Sequence, residues 1–524
     1  MAGNKDALTG PDLAAGVAAD VLSPGDRLLG HANGEPVLLA RLGDDYAAIG
    51  ATCTHYGGPL AEGVIAGEEV RCPWHHACFS LRTGEALRAP ALSPVPCWQV
   101  ERRGGMVVVA RKAERDPLAP SYPMARPAPE AVREVVIVGA GAAGSAAAEM
   151  LRRCGYGGGV TIVDAERDSP YDRPNLSKDY LAGNAPEEWI SLRPGRFYEE
   201  RRIEIVRARA TRIDVAGRRL EAEGRPPLPF DALLLAPGAE PVRLQIPGDD
   251  LPHVHYLRSL ADSRAIIAAA TVGGASRAVV VGAGFIGLEA AASLRARGLE
   301  AHVVAPETLP LERVMGPELG AFIKALHEEK GVRFHLGRTP RRIEADAVVL
   351  DDGARVTSDL VVIGAGVRPR VALAEQAGLA VDRGVAVNEF LETSAPGIYA
   401  AGDVARWPDP HTGERIRVEH WAVAQRMGQA AARNILGARE PFDQVPFFWS
   451  AHYDVTISYV GHAERWDRTR VEGSAERRDV AVWFERDGKV LALATIFRDE
   501  ASLKAELGME GGLTRPAAPG RRAG

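Results

Sequence analysis

The sequence predicts a multidomain protein in which a small all-β domain comes first, an α/β region follows and an α+β domain comes last. Three observations support this order. Short apolar or alternating stretches separated by Gly, Asp and Pro fill residues 11–111, a pattern typical of small antiparallel domains. Two repeats of an apolar strand, a Gly-rich turn and an Ala-rich helix come next. Strands that contain Phe and Trp appear after residue 441.

Composition limits the possible functions. The chain has 524 residues, of which 46% are hydrophobic, so it is too apolar to be mainly disordered. With 63 Lys and Arg against 69 Asp and Glu, the formal net charge is −6, which gives no basic excess for binding nucleic acid. No uncharged apolar run is long enough to cross a bilayer, and no secretion signal is visible. We therefore expect a cytoplasmic protein that binds neither nucleic acid nor membrane.

Changes in composition divide the chain into segments. The repeated Pro residues between Arg111 and Arg133 favour an extended tether. Three further apolar strands that end in small residues, at 233–238, 360–366 and 398–403, indicate that the second α/β repeat is inserted into the domain of the first. The predicted segments are a β domain at 11–111, a linker at 112–132, the two parts of the first nucleotide-binding domain at 133–251 and 371–440, a second nucleotide-binding domain at 252–370, a C-terminal domain at 441–510 and a disordered tail at 511–524.

A metal centre is predicted in the β domain. Cys53-Thr-His55 and Cys72-Pro-Trp-His75 place two Cys and two His in two loops. Two Cys with two His are a common zinc ligand set, but zinc loops usually pair Cys with Cys before the His pair. Mixed pairs of this kind hold Rieske [2Fe–2S] clusters, with both Cys on one iron and both His on the other. The pattern therefore favours a Rieske cluster, and so a Rieske domain, over a zinc site.

Two glycine motifs predict two dinucleotide sites in Rossmann-like units. The motif glycines are Gly139, Gly141 and Gly144, and then Gly282, Gly284 and Gly287. Such a turn lets the backbone approach a pyrophosphate, and the following helix presents the partial positive charge of its N-terminus to it. One match could reflect packing alone. Two matches, each between a strand and a helix, argue against chance.

The residues after the next strand of each unit bear on which nucleotide binds. An acid there hydrogen-bonds the adenosine ribose. After the first motif the candidates are Asp164 and Glu166, of which we favour Glu166. After the second motif the expected place holds Ala305, and the nearest acid is Glu307. No Arg stands there to hold a 2′-phosphate, so the donor is NADH or NADPH, with Glu307 favouring NADH.

Several further segments resemble known families. They are CTHYGGPL at 53–60, CPWHHACFS at 72–80, PYDRPNLSK at 170–178, LAPGAEP at 235–241, GVRP at 366–369, GIYAAGD at 397–403, EHW at 419–421 and PFFW at 446–449. From residue 133 to about residue 500 the sequence resembles the flavoproteins that serve oxygenases as FAD-dependent ferredoxin reductases. The whole chain resembles apoptosis-inducing-factor-like proteins, which join a Rieske domain to such a reductase.

The resemblance implies roles for particular residues. Glu166, Arg173, Lys178 and Asp403 would bind FAD together with the first glycine motif, and the second motif would bind NAD(P)H. Lys178 and Glu289 would form an ion pair beside the reactive edge of the flavin. Two aromatic residues, Trp421 and Trp449, would either cover the flavin ring or belong to the core.

Three residues depart from the family pattern. Asn175 stands where a second Pro is usual, Pro237 stands where Thr is usual, and His76 follows the ligand His where Gly is usual. For His76 we expect a structural or solvent-facing role rather than a direct role at the cluster.

The combined motifs predict an electron-transfer enzyme. NAD(P)H would reduce FAD, and FAD would pass electrons singly to the Rieske cluster of the same chain and on to an unidentified acceptor such as an oxygenase. Dithiol chemistry is excluded, because Cys154 is the one cysteine in the reductase part. The alternative is a redox-responsive signalling flavoprotein of the apoptosis-inducing-factor type with slow turnover.

Overall fold

The computed structural model of the protein describes residues 8–122, 124 and 132–511. The expected order of an all-β domain, an α/β region and a C-terminal domain of strands and one helix is confirmed. Residues 123 and 125–131 of the predicted linker and 512–524 of the predicted tail lie outside the described residues, whereas Gly511 ends the last helix. Within the described ranges, no helix has the length and apolar character that crossing a bilayer requires.

Two antiparallel sheets build the N-terminal β domain. Between them lies an apolar core that includes Leu38, Ile49, Phe79 and Leu81. The six-stranded sheet has the order Val17–Ala18, Met106–Lys112, Cys97–Arg103, Asp45–Gly50, Glu35–Leu42, Arg27–Ala32, and the four-stranded sheet has the order Val64–Ala66, Glu69–Arg71, Cys78–Ser80, Ala86–Arg88. Both pairs of predicted metal ligands lie in loops at the ends of these strands, and short 3₁₀ turns occupy Ala19–Val21 and Leu60–Glu62.

The first α/β unit is built on a parallel sheet whose strands are almost continuously apolar, as sheets covered on both faces require. The strand order is Glu204–Arg207, Gly159–Asp164, Glu134–Val138, Ala232–Leu235, Ile398–Ala400. Because the last of these strands lies far along the chain, the chain returns to this sheet after completing the second unit. Smaller sheets comprise Ala210–Asp214 with Arg219–Ala222 and Leu228–Pro229, Ala239–Pro241 with Val367–Pro369, and Val385–Ala386 with Ala405–Pro408 and Arg415–Ile416.

The helices of the first unit pack against its sheet and against each other. Ala142–Arg153 packs closely on Trp421–Ile435, where a Cβ on Gly428 would lie 2.1 Å from the carbonyl oxygen of Ala143. The remaining helical segments are the short helices Asp179–Ala182, Phe197–Glu200 and Ala372–Gln376 and the 3₁₀ turns Arg173–Ser177, Glu187–Ile190 and Gly402–Val404.

The second α/β unit repeats the same plan. Its parallel sheet has the order Val254–Tyr256, Leu360–Ile363, Arg277–Val281, Glu300–Ala305, Val332–Leu336. An antiparallel sheet of Pro340–Ile343, Ala347–Leu350 and Arg355–Thr357 and the helices Leu260–Ala270, Phe285–Ala296 and Glu312–Glu329 complete it. The last helix is kinked at Gly316, directly before Pro317.

The C-terminal domain is an antiparallel sheet followed by the helix Asp499–Gly511. The strand order is Phe447–His452, Val455–Gly461, Lys489–Ile496, Asp479–Arg486, Arg468–Ser474. Since side chains alternate along a strand, Phe447–His452 presents two different faces. Phe447 and Trp449 contact the β domain, whereas Ser450 and His452 point into the reductase part.

Candidate redox site

The predicted metal ligands come together as two pairs. The Nδ1 atoms of His55 and His75 lie 3.1 Å apart, and the thiols of Cys53 and Cys72 are hydrogen-bonded to each other. Among the described residues, no three His, Cys, Asp or Glu side chains converge on one point as a mononuclear site would require. Two cysteines and two histidines are the ligand set of a Rieske [2Fe–2S] cluster, in which the cysteines bind one iron and the histidines bind the other.

Local packing prepares these side chains for a metal centre. Gly58 fits closely against the ligands, since a Cβ there would lie 2.6 Å from Sγ of Cys72. Burial lowers the pKa of His55 to about 3, and burial also holds the pKa of His75 well below its usual range. Both imidazoles are therefore neutral at physiological pH, the form in which histidine binds a metal.

The two glycine motifs open into one cleft of about 1730 Å³ in the reductase part. Gly141 and Gly284 are the N-caps of helices whose first N–H groups receive no side-chain cap, so these groups face the cleft free to bind an anion. Gly144 and Gly287 do not line the cleft. A Cβ at either position would lie 1.9 or 2.1 Å from the carbonyl oxygen of Gly139 or Gly282, so they allow the helix to approach the strand.

The first glycine motif lies beside two acids with different partners. Asp164 pairs with Arg207 at 3.0 Å, whereas Glu166 accepts a 3.0 Å hydrogen bond from Arg173 and another from the hydroxyl of Tyr171. Burial opposes ionisation of Glu166, but attraction to Arg173 and these hydrogen bonds give it a lowered pKa. Glu166 is thus a fixed carboxylate in the cleft wall.

Two more ion pairs cross the cleft. Asp403 accepts a 2.8 Å hydrogen bond from Arg258, a cleft residue that carries no sequence signal. Lys178 donates to Glu289 at 2.8 Å. Glu289 is only 2% exposed, so it is not an ordinary surface position of its helix. Two hydroxyls also donate to it at 2.5 Å, from Ser177 and Ser450.

The structure places the other predicted nucleotide residues in the same cleft wall. Trp421 lies at the start of its helix, and Trp449 lies on the strand that separates the cleft from the β domain. Glu307 follows the strand Glu300–Ala305 and lines the part of the cleft that belongs to the second unit. The cleft therefore joins the two glycine motifs, Lys178 and the aromatic residues.

The cysteine and histidine loops of the β domain dock directly against this cleft. The ring centroid of His75 lies 4.2 Å from that of Trp449. Tyr56, stacked on the ring of His55, donates a hydrogen bond to the buried carboxylate of Asp172. Asn175 donates 3.0 Å hydrogen bonds to both Tyr56 and Asp172. The Asn that replaces the usual Pro is thus a contact between the two parts of the chain.

His76 points away from the cleft and is fully buried, so a solvent-facing role is wrong and a structural role fits. Its φ of 57° lies in the left-handed region, where Gly is usual. Its ring stacks on Phe447 at 4.0 Å, and its nitrogens contact Glu506 at 3.0 Å and Ser502 at 3.2 Å. His76, like Asn175, therefore departs from the family pattern and forms an interdomain contact.

A buried ionic cluster surrounds Glu506 on the helix Asp499–Gly511. Arg71 of the β domain and Arg426 donate to it at 3.2 and 3.0 Å, and Arg71 and Arg88 each donate to Glu510 at 2.6 Å. Burial disfavours the charge of Glu506, but attraction by Arg88 and the other cations outweighs it and holds its pKa well below the usual range. Sequence reasoning missed this cluster, because its members are scattered along the chain.

Comparison with known proteins agrees with this arrangement. The family described as Pyridine nucleotide-disulphide oxidoreductase matches residues 133–428, more than half of the chain. The chain belongs to this family. The Rieske [2Fe-2S] domain family matches residues 14–99, and the Reductase C-terminal family matches residues 447–513.

Relatives cover both the whole chain and its reductase part. Apoptosis-inducing factor 3 of Mus musculus is 32% identical over 88% of this chain and 78% of its own length. The ferredoxin–NAD(+) reductase component of the anthranilate 1,2-dioxygenase system of Burkholderia cepacia is 36% identical over 69% of this chain and 90% of its own length. The covalent putidaredoxin reductase–putidaredoxin complex matches with a TM-score of 0.70 at 32% identity, over 72% of this chain and 93% of that one.

These matches establish the class of the protein. It is an FAD-containing oxidoreductase of the ferredoxin–NAD(P)+ reductase type that carries a Rieske [2Fe–2S] domain and uses NAD(P)H. Although the family description contains the word disulphide, this chain lacks the cysteine pair that disulfide chemistry requires, because no second cysteine accompanies Cys154 in the reductase part.

Proposed function

We propose that this protein oxidises NADH through FAD and passes the electrons one at a time to its own Rieske cluster, from which a separate acceptor takes them. The observation that carries the proposal is the position of Trp449. This residue lines the cleft on one side and packs 4.2 Å from the ring of His75 on the other. Electrons can therefore pass between the two redox centres without crossing solvent.

The residues present fit the groups that the family uses. The four predicted ligands form a histidine pair and a thiol pair, and the cleft presents two uncapped helix N-termini for two pyrophosphates. When bound, FAD accepts a hydride from the nicotinamide and releases electrons singly, which is the step that a one-electron cluster requires. The chain's own contribution is to hold and orient these groups.

In this proposal the first glycine motif, Glu166 and Arg173 hold the adenosine end of FAD. Asp403, fixed by Arg258, binds the middle of the cofactor. Lys178, held by Glu289, places a positive charge at the reactive edge, where it stabilises the added negative charge. Trp421 and Trp449 enclose the ring and exclude water.

The second motif and Glu307 hold the nucleotide donor. A carboxylate at this position accepts hydrogen bonds from the ribose hydroxyls and repels a 2′-phosphate, so NADH is the favoured donor. Replacing it (Glu307→Gln) should raise the KM for NADH about tenfold, with kcat nearly unchanged, because the contact is equally strong before and during hydride transfer. Steady-state rates with NADH and NADPH measure this, and a parent enzyme that prefers NADPH would contradict the assignment.

Rapid mixing without oxygen tests the electron path. The loaded protein is mixed with one equivalent of NADH, flavin absorbance is followed, and the reduced Rieske cluster is detected by EPR in samples frozen at intervals. We expect cluster reduction at a rate that does not change with protein concentration, because both centres lie in one chain. The variant Cys72→Ser should lose the EPR signal while NADH still reduces the flavin.

Three results would contradict the proposal. Flavin reduction without a Rieske signal would exclude the internal path. A rate proportional to protein concentration would assign the transfer to encounters between molecules. A long-lived reduced flavin–nucleotide complex with negligible turnover on ferricyanide would favour the signalling alternative.

A further inference from the structure

A chain of polar side chains leaves the cleft at Glu289 and runs through the interior of the protein. Its first member, the hydroxyl of Ser450, contacts Glu289 at 2.5 Å and Nε2 of His452 at 3.0 Å. Nδ1 of His452 lies 3.2 Å from Nε2 of His327, and Nδ1 of His327 lies 3.4 Å from the hydroxyl of Tyr453. Five side chains from three separate segments thus form one continuous hydrogen-bonded path.

The depth of this path sets it apart from ordinary surface polar groups. Glu289 is 2% exposed, Ser450 is 1% exposed, and both histidines are fully buried. Tyr453, in the turn that follows the strand Phe447–His452, is half-buried and forms the outer end. The path therefore connects the Lys178–Glu289 ion pair in the cleft wall with the edge of the protein.

We propose that Ser450, His452, His327 and Tyr453 form a proton path between Glu289 and the solvent. The inference rests on the proposed function, which creates the need for such a path. Oxidation of NADH yields NAD⁺, two electrons and one proton. One-electron acceptors remove the two electrons from the cleft but leave the proton behind. One proton must therefore leave the cleft for every NADH oxidised.

The hydrogen positions along the path follow from the inventory of donors and acceptors. An ionised carboxylate accepts only, so the hydroxyl of Ser450 donates to Glu289 and its oxygen accepts from Nε2–H of His452. Nδ1 of His452 is then an acceptor and receives Nε2–H of His327, whose Nδ1 receives the hydroxyl of Tyr453. In this arrangement each side chain of the path has its hydrogen-bond partners, and all donors point toward Glu289.

Both imidazoles are in the form that a relay requires. Burial lowers the pKa of His327 to about 2 and that of His452 to about 3. A neutral imidazole carries one donor and one acceptor nitrogen, so it can take up a proton on one side and release one on the other. Net outward transfer takes two steps. The hydroxyls first turn and both imidazoles change from the Nε2–H to the Nδ1–H tautomer, so that all donors point outward, and the protons then hop along the path, which restores the resting orientation.

The test separates proton release from electron transfer. The loaded protein is reduced by light, without NADH, and then mixed with three equivalents of ferricyanide, two for the flavin and one for the Rieske cluster, in weakly buffered solution containing a pH indicator. Flavin absorbance reports oxidation, and the indicator reports the proton. In the parent protein both signals should change together. In the variant His452→Gln, whose amide cannot relay a proton, the indicator should lag the flavin by about tenfold or more, and added imidazole should shorten the lag.

The second histidine pair of the protein supplies a matched control. Nδ1 of His302 lies 2.9 Å from Nε2 of His335 in the second α/β unit, away from Glu289. In the variant His302→Gln, the indicator signal and the flavin signal should change together, as they do in the parent protein. Parental release in His452→Gln would overturn the proposal. If this variant fails to bind FAD, Ser450→Ala is measured in its place, with the same criterion.

A spectroscopic measurement tests the path without any turnover. Nitrogen NMR of the ¹⁵N-histidine-labelled holoprotein, assigned from signals lost in the single variants, should show the Nε2–H tautomer for both His327 and His452. An Nδ1–H tautomer on either ring would contradict the continuous path. Because neither experiment uses NADH or needs electron transfer to the Rieske cluster, failure of the electron path by EPR and failure of the proton path are distinguishable results.

Discussion

The two faces of the strand Phe447–His452 touch groups of opposite chemical character. On one face, Phe447 and Trp449 pack against the rings of His76 and His75 with no hydrogen bond between the pairs in the described contacts. On the other face, Ser450 and His452 belong to an unbroken series of hydrogen bonds. We assign electron transfer to the first face and proton transfer to the second.

The difference reflects what each particle needs. An electron crosses a closely packed aromatic contact, so the first face requires proximity and rigidity. A proton moves only along donors and acceptors in contact, so one missing group interrupts the second face. A single strand with alternating side chains serves both, because its neighbouring residues point in opposite directions.

The largest effect is expected where the β domain is attached to the first face. Glu506→Ala leaves Arg426 buried without a carboxylate and removes one of the two carboxylates that pair with Arg71, which should destabilise the docked arrangement by about 3–5 kcal/mol. Calorimetry should then show separate unfolding of the β domain. Glu500→Ala on the same helix is the control, since its exposed pair with Lys504 should contribute almost nothing to stability. Joint unfolding in Glu506→Ala would show that other contacts hold the domains together.

The next largest effect is expected at Asp172, a buried carboxylate whose hydrogen bonding differs from that of Glu289. Glu289 accepts from Lys178 and two hydroxyls, whereas Oδ1 of Asp172 has no hydrogen-bond partner among the described residues. Burial raises the pKa of Asp172 from 3.8 to about 6, despite hydrogen bonds from Tyr56 and Asn175 that favour its charge.

The sign of the pH effect follows from this raised pKa. The stability that protonated Asp172 contributes is fully present below pH 3.8 and is lost as the pH rises through about 6. Asp172→Asn removes this titration, so the free energy of unfolding of the variant, relative to that of the parent, should rise by about 2 kcal/mol between pH 4 and pH 7. Denaturant unfolding of both proteins across this range measures the difference. A constant difference would show that Asp172 has an ordinary pKa.

A smaller effect is expected from Trp449→Leu, which removes the aromatic contact of the first face but leaves the proton path intact. Transfer from flavin to cluster should slow about tenfold, equivalent to about 1.4 kcal/mol of barrier. Rapid mixing with EPR detection measures this rate. Trp483→Leu, in the same sheet but remote from His75, is the control. Equal rates for both variants would remove Trp449 from the electron path.

The smallest effect is expected from Asn175→Pro, which restores the residue usual in the family. The variant loses two side-chain hydrogen bonds, to Tyr56 and Asp172, which are open to solvent in part and so contribute about 1 kcal/mol together, at the lower end of the usual range of about 0.5–1.5 kcal/mol each. Binding of FAD should be unchanged, whereas domain docking should weaken slightly, as measured by the unfolding temperature of the β domain. Loss of FAD would instead assign Asn175 to the cofactor site.

The order of domains and the principal motifs could be predicted from the sequence because each is local. Cys72 and His75 lie within four residues, and the glycines of each motif within six, so their spacing alone indicates the chemistry. The contacts between domains have no such pattern. Tyr56 and Asp172 are 116 residues apart, and His327 and His452 are 125 apart. Departures from the family pattern at Asn175 and His76 were the one sequence signal near the docking contacts.

The ionic cluster also orders events during synthesis. Arg71 and Glu506 are separated by 435 residues. At the usual speed of translation, about 5–20 residues per second, the β domain leaves the ribosome about 20–90 s before its counter-charge does. During most of that interval Trp449 has not been synthesised, so the ring of His75 is not yet covered. The β domain can dock through this cluster only after synthesis has reached the last helix, so its own fold must be stable before the reductase part is complete.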